Sequence, residues 1–84
     1  MITILPLSKL VRQRVKRHNL EKKLAKQLKL LAENPHHPSL HVELLEPRNR
    51  GIYSFRIDRK FRGLFLLRYD KKMIEIVTMT VHYR

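Results

Sequence analysis

The chain has no cysteine, so neither a disulfide nor a thiolate metal site can brace it, and the fold must rest on packing alone. Acidic residues are scarce, with 7 Asp and Glu against 19 Lys and Arg. No uncharged stretch approaches the ~20 residues needed to span a bilayer, which argues against a transmembrane helix. The first residues form an apolar patch with no basic leader before it and no small-residue cleavage site after it. No signal peptide is therefore expected, and the cytoplasm is the expected compartment. At 84 residues there is room for one domain, spanning 1–84, and none for a second.

What the chain does have is positive charge. A net charge of +12 repels other copies and attracts polyanions, so nucleic acid, a ribosome or an acidic protein is the expected kind of partner. A merely solvated basic surface, or a domain lying on a membrane surface, is the alternative at this level.

Ile2–Leu5 has the composition of a short strand, which Pro6 stops because it lacks the N–H a central ladder needs. Ser8 is placed to cap a helix. From Ser8 to Glu33 there is neither Gly nor Pro, and Leu10, Val11, Val15, Leu20, Leu24, Leu28 and Leu31 recur at helical spacing. Asn19 is expected to divide this run in two, its side chain capping the second helix and Glu21 favouring that helix's positive end. The opposite face carries Arg12, Lys16, Lys22, Lys23, Lys26 and Lys29.

Asn34-Pro35-His36-His37-Pro38 ends the helical region. Strands follow. Gly51–Asp58 alternates Tyr53, Phe55 and Ile57 against Ser54 and Arg56, with Tyr53 read as core, and Phe61–Tyr69 alternates Phe61, Phe65, Leu67 and Tyr69 against Arg62 and Arg68. Asp70-Lys71-Lys72 forms a hairpin turn into a last strand, Met73–Val81. A sheet with both helices on one face leaves the other face free, and Arg56 and Arg62 are the candidates there. Whether they converge depends on a strand register that the sequence does not supply. With so few carboxylates available, anion binding is favoured over structural ion pairing.

The segment Asn34-Pro35-His36-His37-Pro38-Ser39-Leu40, followed by Gly51-Ile52-Tyr53-Ser54-Phe55-Arg56-Ile57-Asp58 and Phe61-Arg62, resembles the RelE/ParE toxin superfamily. The likeness runs from about Leu20 to the C-terminus, and the ending Val81-His82-Tyr83-Arg84 is most similar to the YoeB branch. It implies an α+β fold, with two N-terminal helices packed on one face of a twisted antiparallel sheet. It also implies the activity of a toxin from a type II toxin–antitoxin pair, a metal-independent endonuclease that cuts mRNA on the ribosome.

RNA carries its own nucleophile, so such an enzyme needs a base for the 2′-hydroxyl, cations for the phosphorane and an acid for the leaving oxygen. The resemblance puts the base at Glu43, with Glu46 close enough to take its place, the phosphate-stabilising guanidinium at Arg62 and the acid at His82. Tyr83 would stack on or orient a base, and Arg56 would add a second phosphate contact. Ser54, Arg84, Lys22 and Lys26 complete the expected RNA contacts. The founding RelE branch uses lysines around the positions of Ser54 and Arg56; here only Arg56 is cationic, which favours a YoeB-like acid–base scheme.

His36, His37 and His41 form a His-His-x-x-x-His cluster, but with no Cys or Asp beside it a metal site is not expected, nor is any cofactor. The implied partners are an acidic antitoxin, the ribosome and mRNA, with no membrane; the chain would be a monomer or part of an antitoxin-assembled hetero-oligomer. Two other readings stay open: a ParE-like inhibitor of DNA gyrase, and a non-catalytic basic nucleic-acid-binding module.

Overall fold

A computed structural model describes residues 2–68, 70 and 72–81. The chain runs β1 (Thr3–Ile4), α1 (Lys9–Arg17), α2 (Glu21–Glu33), a 3-10 turn (Pro38–Leu40), β2 (Glu43–Leu44), a second 3-10 turn (Arg48–Arg50), β3 (Ile52–Arg56), β4 (Phe61–Arg68) and β5 (Met73–Val81). The five strands form one sheet in the order β1-β5-β4-β3-β2. The expected α+β class holds. The sheet is antiparallel except where β1 pairs with β5 in parallel, Thr3 opposite Met73 and Ile4 opposite Ile74. That pairing is possible because two helices and three strands intervene, giving the chain the length to return beside its own start.

Ser8 caps α1 as expected, its Oγ accepting from the Val11 N–H at 3.2 Å. Asn19 divides the helices, but not by side-chain capping, since α2 has no side-chain cap bond. Instead Asn19 takes a left-handed backbone, φ 55. The Leu20 N–H reaches the Val15 carbonyl at 2.9 Å and the Asn19 N–H reaches that of Lys16 at 3.1 Å, which together make a Schellman motif. Leu20 and Val15, the two ends of the motif, are both buried. Asn is tolerated there because it pays less than other side chains for positive φ.

The core lies between the helices and one face of the sheet. Leu31, Leu40, Phe55 and Ile74 are fully buried at its centre. Leu10, grouped with the apolar stripe in the sequence, is 73% exposed and is not core. It directly precedes Val11, whose direction on the helix already faces the sheet, and one residue of rotation turns Leu10 out. Gly63 is opposite Phe55 across β3 and β4, and a Cβ at Gly63 would run into the Phe55 ring, so the glycine makes room for that ring. Tyr53 stacks on Phe65 at 5.3 Å between ring centroids and is half-buried on the core side.

The β3–β4 turn is fixed by Asp58. Its Oδ1 accepts from the N–H groups of Lys60 at 2.8 Å and Phe61 at 2.7 Å, while Oδ2 pairs with Lys23 of α2 at 3.1 Å. Burial works to raise this carboxyl's pKa, but the Phe61 and Lys60 N–H groups and the Lys23 ammonium outweigh it and hold it below its ordinary value.

Candidate active site

On the face of the sheet away from the helices, strand register brings the predicted residues into two neighbouring rows. Arg56 is directly opposite Arg62, which is opposite Thr80 of β5. In the next row Glu43 is opposite Ser54, which is opposite Leu64. Side chains paired in this way have Cβ atoms about 4.5–5.5 Å apart. The register that the sequence could not supply therefore brings Arg56, Arg62, Ser54 and Glu43 together.

Like charges directly opposite one another are destabilising. Here two guanidiniums face each other, and among the described residues neither has a carboxylate within 4.0 Å. Neutral groups hold them instead. Arg62 donates from Nε and Nη2 to the Ser54 hydroxyl oxygen, at 3.2 and 2.9 Å, and again from Nη2 to the His41 carbonyl at 2.6 Å. Arg56 donates from Nη1 to the His41 ring at 3.2 Å. Burial lowers the Arg62 pKa, the nearby charge of Glu43 raises it and that of Arg56 lowers it, with a net downward shift. A guanidinium in this setting still keeps its proton at neutral pH. The result is a pair of guanidiniums held in place by neutral acceptors.

Of the two candidate bases, Glu43 is the one whose charge acts on Arg62. Its carboxylate is exposed, and it is near enough to be felt by the guanidinium but makes no ion pair with it within 4.0 Å. Glu46 lies at the turn after β2, paired with Arg48 at 3.6 Å. Ser54, expected to touch RNA, is only 1% exposed, and its hydroxyl is spent on Arg62. Its role in the structure is to orient a guanidinium, because the Arg62 side chain covers the hydroxyl and takes up its oxygen. His82, Tyr83 and Arg84 lie outside the described residues.

Lys22 and Lys26 are both exposed on α2. Lys26 lines a groove of about 350 Å3 with Lys23, Arg56 and Arg59, whereas Lys22 is not among its lining residues. The groove follows the side of α2 that carries Lys23 and Gln27, and Lys22, about 100° round the helix from Lys23, falls outside it. Arg59 was not singled out in the sequence; its place in the turn fixed by Asp58 is what brings it to the groove.

Gln27 was missed as well. It is buried in α2, and its Nε2 donates to the carbonyls of Arg56 at 2.8 Å and Ser39 at 3.3 Å, tying the helix to the end of β3 and to the loop that carries His41. A lone polar residue in an apolar helical stripe was the available signal. In that loop, His37 Nδ1 accepts from the Ser39 N–H at 3.2 Å. Among the described residues no three ligating groups stand close enough to hold a metal ion. A cleft of about 580 Å3 lies on the core side, lined by Val42, Tyr53, Phe65, Leu67 and Ile74 together with His36, His37 and His41.

No protein-family model matches the chain, and no curated protein matches it in sequence. Solved structures do. The YoeB dimer from Staphylococcus aureus is 25% identical over 98% of this chain and 95% of that one, with a TM-score of 0.68. The YoeB–YefM complex from the same organism matches at 22% identity over 99% of both chains, with a TM-score of 0.70. A YoeB/ParE toxin from Agrobacterium tumefaciens matches at 17% identity over 98% of both, with a TM-score of 0.71. The two-helix layer, the five-stranded sheet and the near-complete overlap together give this chain the fold of the RelE/ParE toxin superfamily, in the arrangement taken by the YoeB structures.

Proposed function

We propose that this protein is the toxin of a type II toxin–antitoxin pair, and that it cleaves mRNA on the ribosome without a metal or cofactor. The observation that carries the reading is Arg62, a guanidinium clamped from two sides on an open sheet face, with a second arginine opposite it and a free carboxylate in the next row. This arrangement suits a phosphodiester better than a structural ion pair, because a phosphate would relieve the repulsion between the arginines.

In the reaction, Glu43 takes the proton of the ribose 2′-hydroxyl as that oxygen attacks the adjacent phosphorus. Arg62 and Arg56 stabilise the charge that builds on the non-bridging oxygens. The bond from phosphorus to the 5′-oxygen of the next nucleotide breaks, leaving a 2′,3′-cyclic phosphate and a free 5′-hydroxyl. His82 supplies the proton to that oxygen and Tyr83 stacks on a base, roles that rest on the resemblance at the C-terminus. Arg84, Lys22 and Lys26 contact phosphates along the strand, joined by Lys23 and Arg59. Ser54 serves by holding Arg62.

Two partners complete the reading. The ribosome presents the transcript, which places the protein in the cytoplasm; no helix among the described residues is long and apolar enough to cross a membrane. An acidic antitoxin restrains the toxin, as a partner for a chain of net charge +12. The YoeB–YefM complex is a precedent for such a pairing.

The test is cleavage of a reporter mRNA in a purified translation system. The intact protein is expected to cut only the translated message, and both Arg62→Ala and a truncation removing residues 82–84 are expected to slow the cut by at least about 100-fold. Inhibition of DNA gyrase with transcripts left intact would overturn the nuclease and select the ParE-like reading.

A further inference from the structure

His41 meets the two arginines through two different atoms. Its backbone carbonyl accepts from Arg62, and its ring Nε2 lies 3.2 Å from Arg56 Nη1. A guanidinium has donors and no acceptor, so the second contact needs the Nε2 lone pair, which means a neutral ring with its proton on Nδ1. The residue sits at the end of the Pro38–Leu40 turn in the left-handed region, φ 46 and ψ 51. Few side chains with a Cβ adopt that backbone unless the surroundings hold them there. Here the carbonyl is held by Arg62 and the ring by Arg56.

We propose that His41 is a positioning residue of the anion site, which holds both arginines in the free protein and makes their grip on a phosphodiester depend on a proton. With the ring neutral, Arg56 is bound to it. Once protonated, the ring has no lone pair at Nε2, releases Arg56 toward the ligand and stands beside it as a third cation. The charged and titratable groups around it are Arg56 from β3, Arg62 from β4 and Glu43 two residues further along. His36 and His37 in the same loop, and Lys23 and Lys26 of α2 in the groove that Arg56 lines, complete the set. The identity of the ligand rests on the proposed nuclease function; the coupling of His41 to Arg56 does not.

The experiment uses the full chain, labelled with 15N, taken from pH 8 to pH 5.5, about the range in which imidazoles titrate. The Arg56 Nε resonance is expected to move with the midpoint of the His41 ring. In His41→Asn it should stay still, because Asn tolerates the left-handed backbone and keeps the carbonyl but has no imidazole. In parallel, the Kd of a short 2′-O-methyl RNA, which cannot be cleaved, is measured at constant ionic strength. The wild-type protein should gain roughly two- to fivefold more affinity over this range than His41→Asn. His36→Asn, which removes an imidazole from the same loop, should keep the wild-type slope. An Arg56 resonance indifferent to the His41 titration, or equal pH slopes in wild type and His41→Asn, overturns the proposal. A coupled Arg56 with no RNA bound at any pH would support the coupling while overturning free phosphodiester as the ligand; the nuclease reading is decided separately, by cleavage of the translated message.

Discussion

The two faces of β4 divide the work of the molecule. Phe61, Gly63 and Phe65 turn toward the helices and into the core, where even one added methyl at Gly63 meets a ring. Arg62, one residue from each of its inward neighbours Phe61 and Gly63, turns the other way and finds a hydroxyl, a carbonyl and another arginine. Because successive side chains on a strand point to opposite faces, one backbone supports a close-packed core on one side and a charged site on the other. The inner face is closed by the chain's own apolar side chains, whereas the outer face sets two cations opposite one another.

Substitutions can test that division. The largest expected effect is on the outer face: Glu43→Gln should slow translation-dependent cleavage by about 10²–10⁴-fold, the usual contribution of a general base. Glu46→Gln, at an exposed pair with Arg48, should leave cleavage unchanged, and single-turnover rates for the two variants separate these outcomes. Next comes Arg62→Ala, expected to lower the rate about 10²–10³-fold. Arg62→Lys should recover little, because an ammonium cannot span Ser54 and the His41 carbonyl as the fork does.

On the inner face, Gly63→Ala should cost about 1–3 kcal/mol in urea unfolding, because the Phe55 ring has to move in a full core. If it lowered cleavage more than stability, the two faces would not be independent. The smallest effect is expected at the turn. Asp58→Asn keeps an acceptor oxygen but loses the charge, at about 1 kcal/mol near neutral pH. Its signature is in the pH dependence. A carboxyl held below its ordinary value favours the fold wherever it is ionised. That contribution is complete above the unfolded carboxyl's range and drains away as pH falls through the lower, folded value. The variant should lack this acid-side component, which equilibrium unfolding between pH 2 and pH 6 will show.

Most of the framework could be read from the residues. Ser8, the helical spacing of Val11, Val15, Leu24 and Leu31, and the alternation in β3 and β4 are local patterns, and local geometry decides them. Where the reading failed, the deciding contact was non-local or conformational. Asn19 does break the helix, but through positive φ and not as a side-chain cap, and both mechanisms use the same residue type. The two-residue β2 is too short to show alternation, so the place of Glu43 opposite Ser54 exists only as register. Ser54 reads as an outward polar residue by parity, yet the Arg62 side chain folds over it. His41 had no signal as an arginine partner, because its part depends on a left-handed turn and on strands that join the sheet later in the chain.

Gln27 and Ser54 are the buried polar side chains among the described residues, and each spends its hydrogen bonds on the arginine site. Gln27→Leu would fill nearly the same volume and leave the hydrophobic packing intact, but it would orphan two carbonyls where α2, the histidine loop and β3 converge. Such a fastener fails without leaving a void, so slack in the arginine geometry and a lower melting temperature would arrive together, each carbonyl left without a donor costing about 1–3 kcal/mol.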